Sequence, residues 1–165
     1  MRINLQPATA GDVVELLDLR AAVNRRLAYQ FGEGFWIAKL TEKSILFAMR
    51  RSSVYLVRHR NKVVATLTLS TRKPWAIDAK YFSKSKTPLY LTSMAVDPGH
   101  QRKGLGRRCI EEVRRLAAEW SGDAIRLDAY DVAAGAGEFY RKCSFRMMGS
   151  ATYRGVPLVY YEMLL

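Results

Sequence analysis

The chain has 165 residues, 49% hydrophobic and 25% charged, which is the length of one ordinary domain and a composition that excludes general disorder. No apolar run approaches the roughly 20 residues of a membrane-spanning helix, and the start Met1-Arg2-Ile3-Asn4-Leu5-Gln6-Pro7 has no apolar stretch of secretory type, so a soluble cytoplasmic protein with no membrane partner is expected. Lys plus Arg number 27 against 15 acids, a net charge of +12 that favours an anionic partner: a polyphosphate cofactor, a nucleic acid or an acidic substrate.

Ile3 and Leu5 alternate with polar neighbours and predict a short opening strand. Thr9 and Asp12 read as a helix start, a capping-box variant with Asp in place of Glu. Val13, Leu16, Leu17, Ala21 and Leu27 follow at helical spacing, and Gly32 and Gly34 break the helix. A second helix is expected from about Phe35 to Met49, with Trp36, Leu40 and Phe47 inward. Val54 to Arg58 and Lys62 to Leu69 read as an antiparallel hairpin turned by His59-Arg60-Asn61. Residues 70 to 88 read as irregular, with Pro74, Pro88 and the aromatics Trp75, Tyr81 and Phe82.

Leu89 to Val96 is an apolar strand ending in the turn Asp97-Pro98-Gly99. A Gly-bearing segment and a strong helix to about Trp120 come next, then a strand Ile125 to Ala129 and a helix from about Ala133 to Lys142. Phe145 to Tyr153 and Val156 to Met163 close the chain as two strands. This order of elements predicts a mixed α/β (α+β) domain. Cys109 and Cys143, neither in a CxxC pair, read as reduced thiols, and no metal site is expected.

The chemistry is expected in Leu89 through Trp120. A strand leads into Gln101-Arg102-Lys103-Gly104-Leu105-Gly106-Arg107-Arg108, and Leu105, Cys109, Val113, Leu116 and Trp120 then form one inward stripe. Glycines let the backbone turn sharply and let a ligand approach its amides. Free N–H groups at a helix start, the helix dipole and four nearby cations make an anion site suited to a phosphate or pyrophosphate. The third glycine of GxGxxG is missing and no GxxxxGK[ST] occurs, which disfavours dinucleotide and nucleoside-triphosphate loops.

Gln101-Arg102-Lys103-Gly104-Leu105-Gly106 resembles the Q/R-x-x-G-x-G/A signature of the GNAT family of acyl-CoA-dependent N-acetyltransferases. Leu91 to Pro98 is similar to that family's fourth strand, and Phe139-Tyr140-Arg141-Lys142-Cys143-Ser144-Phe145 to its F-Y-x-K-x-G-F element. The resemblance covers essentially the whole chain. Ser144 stands where the family usually has Gly. Ala133, seven residues before Tyr140, stands where many members carry an Asn that contacts the cofactor arm.

The resemblance implies a single domain, with a mostly antiparallel mixed sheet of six to seven strands, about four helices, and splayed fourth and fifth strands. It implies acetyl-CoA as the cofactor. Backbone groups of Met94, Ala95 and Val96 would pair with the pantetheine amides, and amides from Arg102, Lys103, Gly104, Leu105, Gly106 and Arg107 would cradle the pyrophosphate. Tyr140 would be the general acid toward the departing thiolate. The base stays open among Asp128, Glu33 and water; His59 and His100 read as turn residues. Aromatics at Tyr29 to Trp36, Trp75 to Phe82 and Tyr153 to Pro157 are expected on the acceptor side. The acceptor is a primary amine of a small molecule, peptide or protein. The alternatives are an RNA-linked amine such as aminoacyl-tRNA, which the basic charge permits, and a non-catalytic acyl-CoA-binding sensor. A homodimer fits the family's habit.

Overall fold

Arg60 and Asn61 both take left-handed backbone, φ 47° and 63°, the paired conformation of a type I′ hairpin turn, whose twist matches its strands. They join β2 (Ser53–His59) to β3 (Lys62–Ser70), with His59 opposite Lys62. In the computed structural model, which describes residues 3–165, this hairpin lies in a seven-stranded sheet of order β1-β2-β3-β4-β5-β7-β6. The other strands are β1 (Gln6–Pro7), β4 (Pro88–Val96), β5 (Ala124–Tyr130), β6 (Arg146–Tyr153) and β7 (Val156–Leu164). Every pairing is antiparallel except β4 with β5.

Strand alternation sends successive residues to opposite faces, and the core divides accordingly. Val64 and Leu67 of β3 pack with Leu105, Cys109, Val113 and Leu116 of α3 (Leu105–Glu119) and Tyr140 of α4 (Gly137–Lys142). Val63 of β3 and Leu56 of β2 pack instead with Val13, Leu16, Leu19 and Val23 of α1 (Val13–Phe31) and Ile45 of α2 (Glu42–Arg51). A third cluster, Ile77, Tyr90, Leu158 and Tyr160, fastens the 71–87 connection to the sheet. That connection is also held by a buried ion pair: Arg126 Nε donates to Glu162 at 2.9 Å and its Nη2 donates to the Ser83 carbonyl at 2.6 Å. No helix of the described residues is long and apolar enough to cross a membrane.

Four expectations are corrected. The opening strand forms at Gln6–Pro7 rather than at Ile3–Leu5, whose side chains are buried beside it. The buried stripe of α1 runs through Leu19 and Val23, not through Leu17 and Ala21. The second helix starts at Glu42, because Thr41 and Ser44 close a reciprocal capping box there; Phe47 consequently points outward, 54% exposed. The fourth helix starts only at Gly137, after a turn at residues 131–136 in which Gly135 N–H bonds the Val132 carbonyl.

Candidate active site

β4 and β5 pair only over Pro88–Tyr90 and Ala124–Arg126, although β4 continues to Val96 and β5 to Tyr130. β3 holds the outer side of β4 and β7 holds β5 along its full length. The strands therefore part without fraying, and the main-chain groups facing the gap lack a ladder partner. Unpaired strand groups of that kind accept an added strand-like ligand. β4 bulges where it parts: Ser93 and Met94 together oppose Leu67, and Ser93 has φ 52°.

The gap opens into a cavity of about 830 Å³. Met94, Ala95 and Val96 line it, as do Arg102, Gly104, Gly106, Arg107 and Tyr140. Lys103 and Leu105 do not. Leu105 is buried in the core, and the Lys103 ammonium donates to the Gly99 carbonyl at 2.7 Å. Gln101 Nε2 ties the loop to the end of β4 through the Val96 carbonyl, 2.9 Å away. Gly104 caps α3 in left-handed conformation, φ 82°, with open space where a Cβ would stand. The first helical bond runs from Arg108 N–H to the Gly104 carbonyl, which leaves the Leu105, Gly106 and Arg107 amides as first-turn donors. The second glycine has a different cause: a Cβ on Gly106 would stand 3.1 Å from the Phe139 ring.

Tyr140 comes from α4 and packs edge-on against Phe139 and Phe145, with Tyr161 beside it. Its hydroxyl has no hydrogen-bond partner among the described residues, and burial holds its pKa well above the usual phenol range. Asp128 reaches the same cavity from β5. Its carboxylate makes no ion pair among the described residues, and burial raises its pKa. Asp128 is therefore a cavity-lining acid with no side-chain partner among the described residues. Glu33 is exposed and lies outside the cavity.

The α1–α2 side contributes Arg20, Val23, Leu27, Trp36, Ala38 and Leu40. Trp36 sits in the irregular segment 32–41, which Asn24 holds by two bonds to Ala38: Nδ2 to the carbonyl at 2.7 Å and the N–H to Oδ1 at 3.1 Å. Phe35 carries this segment across to Tyr130 of β5, ring centroids 5.2 Å apart. Of the three expected aromatic stretches only this one reaches the cavity. Tyr29 and Trp75 point to solvent, 85% and 89% exposed. Tyr81, Phe82 and Tyr153 belong to the Tyr160 cluster. Arg20 and Tyr130 escape sequence reading. The available signal for Arg20 was a cation four residues after Leu16 and three before Val23, on the apolar stripe of α1.

The model of the acetyltransferase (GNAT) family matches residues 18–145. The chain belongs to the GNAT acetyltransferase family. Solved structures share the fold of this GNAT chain over nearly its full length. PaiA N-acetyltransferase from Thermoplasma acidophilum, in complex with coenzyme A, has TM-score 0.73 at 13% identity, covering 99% of this chain and 100% of its own. An acetyltransferase from Thermus thermophilus has TM-score 0.69 at 21% identity, covering 100% and 98%. YncA from Salmonella typhimurium, with its cofactor acetyl-CoA, has TM-score 0.65 at 14% identity, covering 99% and 94%. No curated protein matches the GNAT chain in sequence.

Proposed function

We propose that this chain transfers the acetyl group of acetyl-CoA to a primary amine, by direct attack with both molecules bound. The observation that carries the reading is the gap between β4 and β5 with the N-terminus of α3 at one end. The residues present suit a CoA thioester. Met94 and Val96, on either side of the β3-paired Ala95, offer main-chain groups to the amide-bearing arm. The free amides at the start of α3, with Arg102 and Arg107 beside them, suit a diphosphate. When bound, acetyl-CoA supplies an activated acyl carbon and a thiolate leaving group.

The chain's own side chains then divide the proton work. The amine attacks only as the neutral base, and Asp128 is placed to take its proton. Its raised pKa brings it closer to a working base than an exposed carboxylate is. Tyr140 stays protonated across the working range and gives its proton to the sulfur. Trp36, Leu27 and Leu40 give the acceptor side an apolar wall.

The test is calorimetric titration with acetyl-CoA followed by thiol release across a panel of amines. Saturable binding and amine-dependent release are the expected results. Binding without release from any amine would make the chain an acyl-CoA sensor.

A further inference from the structure

α1 turns one cation toward the sheet. Arg20 lies on the face that buries Leu16, Leu19 and Val23. Its Nη2 donates to the Ser93 carbonyl at 2.9 Å, a contact between residues 73 apart in sequence. Its Nε is buried with no hydrogen-bond partner. A buried unpaired donor opposes folding, and a Leu or Met would fill the same stripe without that cost. An arginine at this position therefore needs a reason outside core packing.

The acceptor of its bond supplies one. Ser93 is the only residue of β4 in left-handed backbone, φ 52°, a conformation uncommon for a non-glycine residue and rarer still inside a strand. It is also the bulged residue, and a bulge changes where the following main-chain groups point. Those groups belong to Met94, Ala95 and Val96, residues that line the cavity; Ala95 pairs with Thr66 of β3, so the groups of Met94 and Val96 are the ones turned to the gap.

We propose that Arg20 is a positioning residue: by holding the Ser93 carbonyl it fixes the bulge of β4 in the shape that aims main-chain N–H groups at the thioester carbonyl. The proposal rests on the acetyltransferase reading above. Arginine suits the task because its planar guanidinium stays charged and donates from a fixed geometry, while the charge-assisted bond outlasts the thermal motion of a strained turn better than a neutral one.

The experiment reads the carbonyl stretch of isotope-labelled acetyl-CoA bound to the full chain, together with the affinity for free coenzyme A. In the wild type the stretch is expected below its frequency in water, the signature of donors aimed at the carbonyl oxygen. Arg20→Met is expected to return it to the water value while the Kd for coenzyme A stays within about threefold. Arg20→Lys, which keeps one donor, is expected to restore part of the lowering. If Arg20→Met does not fold, Arg20→Gln, too short to reach the carbonyl, takes its place with the same two readings. A full lowering in the substituted chain overturns the proposal. A fall in coenzyme A affinity of about thirtyfold or more, in step with the lost lowering, also overturns it, since that marks a structural arginine. A wild type that binds coenzyme A normally with an unlowered stretch removes the proposal alone; a wild type that binds no coenzyme A removes the acetyltransferase reading as well.

Discussion

Asp128 and Tyr140 line one cavity from opposite faces of the sheet. Leu127 and Ala129 point into the cluster beneath α3 and α4, which also contains Tyr140; Asp128, between them on β5, must point the other way. The parted strands are what let both side chains reach one cavity. In the proposed reaction an amine approaching from the α1–α2 face would meet the carboxylate first, and a leaving sulfur on the far side would meet the phenol. Tyr140→Phe is expected to lower kcat by at least about tenfold, with acetyl-CoA affinity nearly unchanged because the ring keeps its contacts with Phe139 and Phe145. Steady-state kinetics beside calorimetry checks it; an unchanged kcat removes Tyr140 as the acid.

Asp128 carries a stability cost that its role would explain. Burial raises its carboxyl above the usual range, so the folded chain holds this proton to higher pH than the unfolded chain does. Stability therefore falls as pH rises from the ordinary aspartate value through the raised one, and at neutral pH the charge works against folding. Asp128→Asn is expected to raise Tm at pH 7, by about 2–4 °C for each kcal/mol recovered in a chain of this size. The gain should vanish below about pH 4, where the unfolded carboxyl is itself protonated. The same substitution should cut kcat/KM at neutral pH by at least about tenfold and remove the acidic limb of its pH profile. Thermal melts across pH and a pH–rate profile are the measurements, and a variant with both unchanged Tm and unchanged rate would clear Asp128 of any function.

Much of the site was legible because its signals are local. The αL glycine before an amphipathic helix, the Asp97 turn and the Phe139-Tyr140 pair each announce themselves over a few residues, and Gly104, Met94 and Tyr140 do meet in one cavity. Ser144 shows a local departure that changes little, since it takes the left-handed conformation that a glycine would take, φ 69°. The contributions that were not legible are long-range. Arg20 meets Ser93, and Phe35 meets Tyr130, across long stretches of sequence, through the placement of α1 and of the segment after it against β4 and β5. The late start of α2 is set by the Thr41–Ser44 cap, which apolar periodicity alone does not reveal. Gly106 makes room for the Phe139 ring, a long-range contact that a glycine motif does not announce.

Gly104 separates backbone strain from crowding. A Cβ there meets nothing within 4 Å, but φ is 82°, a conformation that costs a β-branched residue roughly 1–2 kcal/mol or more. Gly104→Val is expected to relax the loop away from its left-handed cap, misaligning the Gly106 and Arg107 amides. Calorimetry should show coenzyme A affinity weakened by more than about tenfold in a chain whose circular dichroism is unchanged. Wild-type affinity in Gly104→Val would mean that the diphosphate does not sit at this helix start.

The Arg126–Glu162 pair makes a prediction about stability alone. Its side chains are 6% and 2% exposed, on directly opposed residues of β5 and β7, and both bond the main chain of Ser83. Removing one partner of such a pair strands a buried charge, at a cost of about 3–5 kcal/mol. Glu162→Ala is expected to show that loss in urea unfolding and to free the 71–87 connection for proteolysis. A loss under about 1 kcal/mol, the range of an exposed pair, would mean that water reaches the site.

Asn24 tests the acceptor side independently of the chemistry. Its amide mimics a strand partner for Ala38, accepting from the N–H and donating to the carbonyl. That pair is what fixes a segment with no regular structure between α1 and α2, and the segment carries Trp36 and Phe35. Each bond contributes about 0.5–1.5 kcal/mol, so Asn24→Ala should leave the domain folded while loosening residues 32–41. The acceptor KM is expected to rise about fivefold or more, with acetyl-CoA affinity unchanged, because no side-chain hydrogen bond among the described residues ties Asn24 to β4 or to the start of α3. Amide exchange should quicken at Ala38 and its neighbours and not in β4. Should exchange quicken while the acceptor KM holds, the wall formed by Trp36 would have no part in binding the amine, and the acceptor would have to enter from the Tyr130 side.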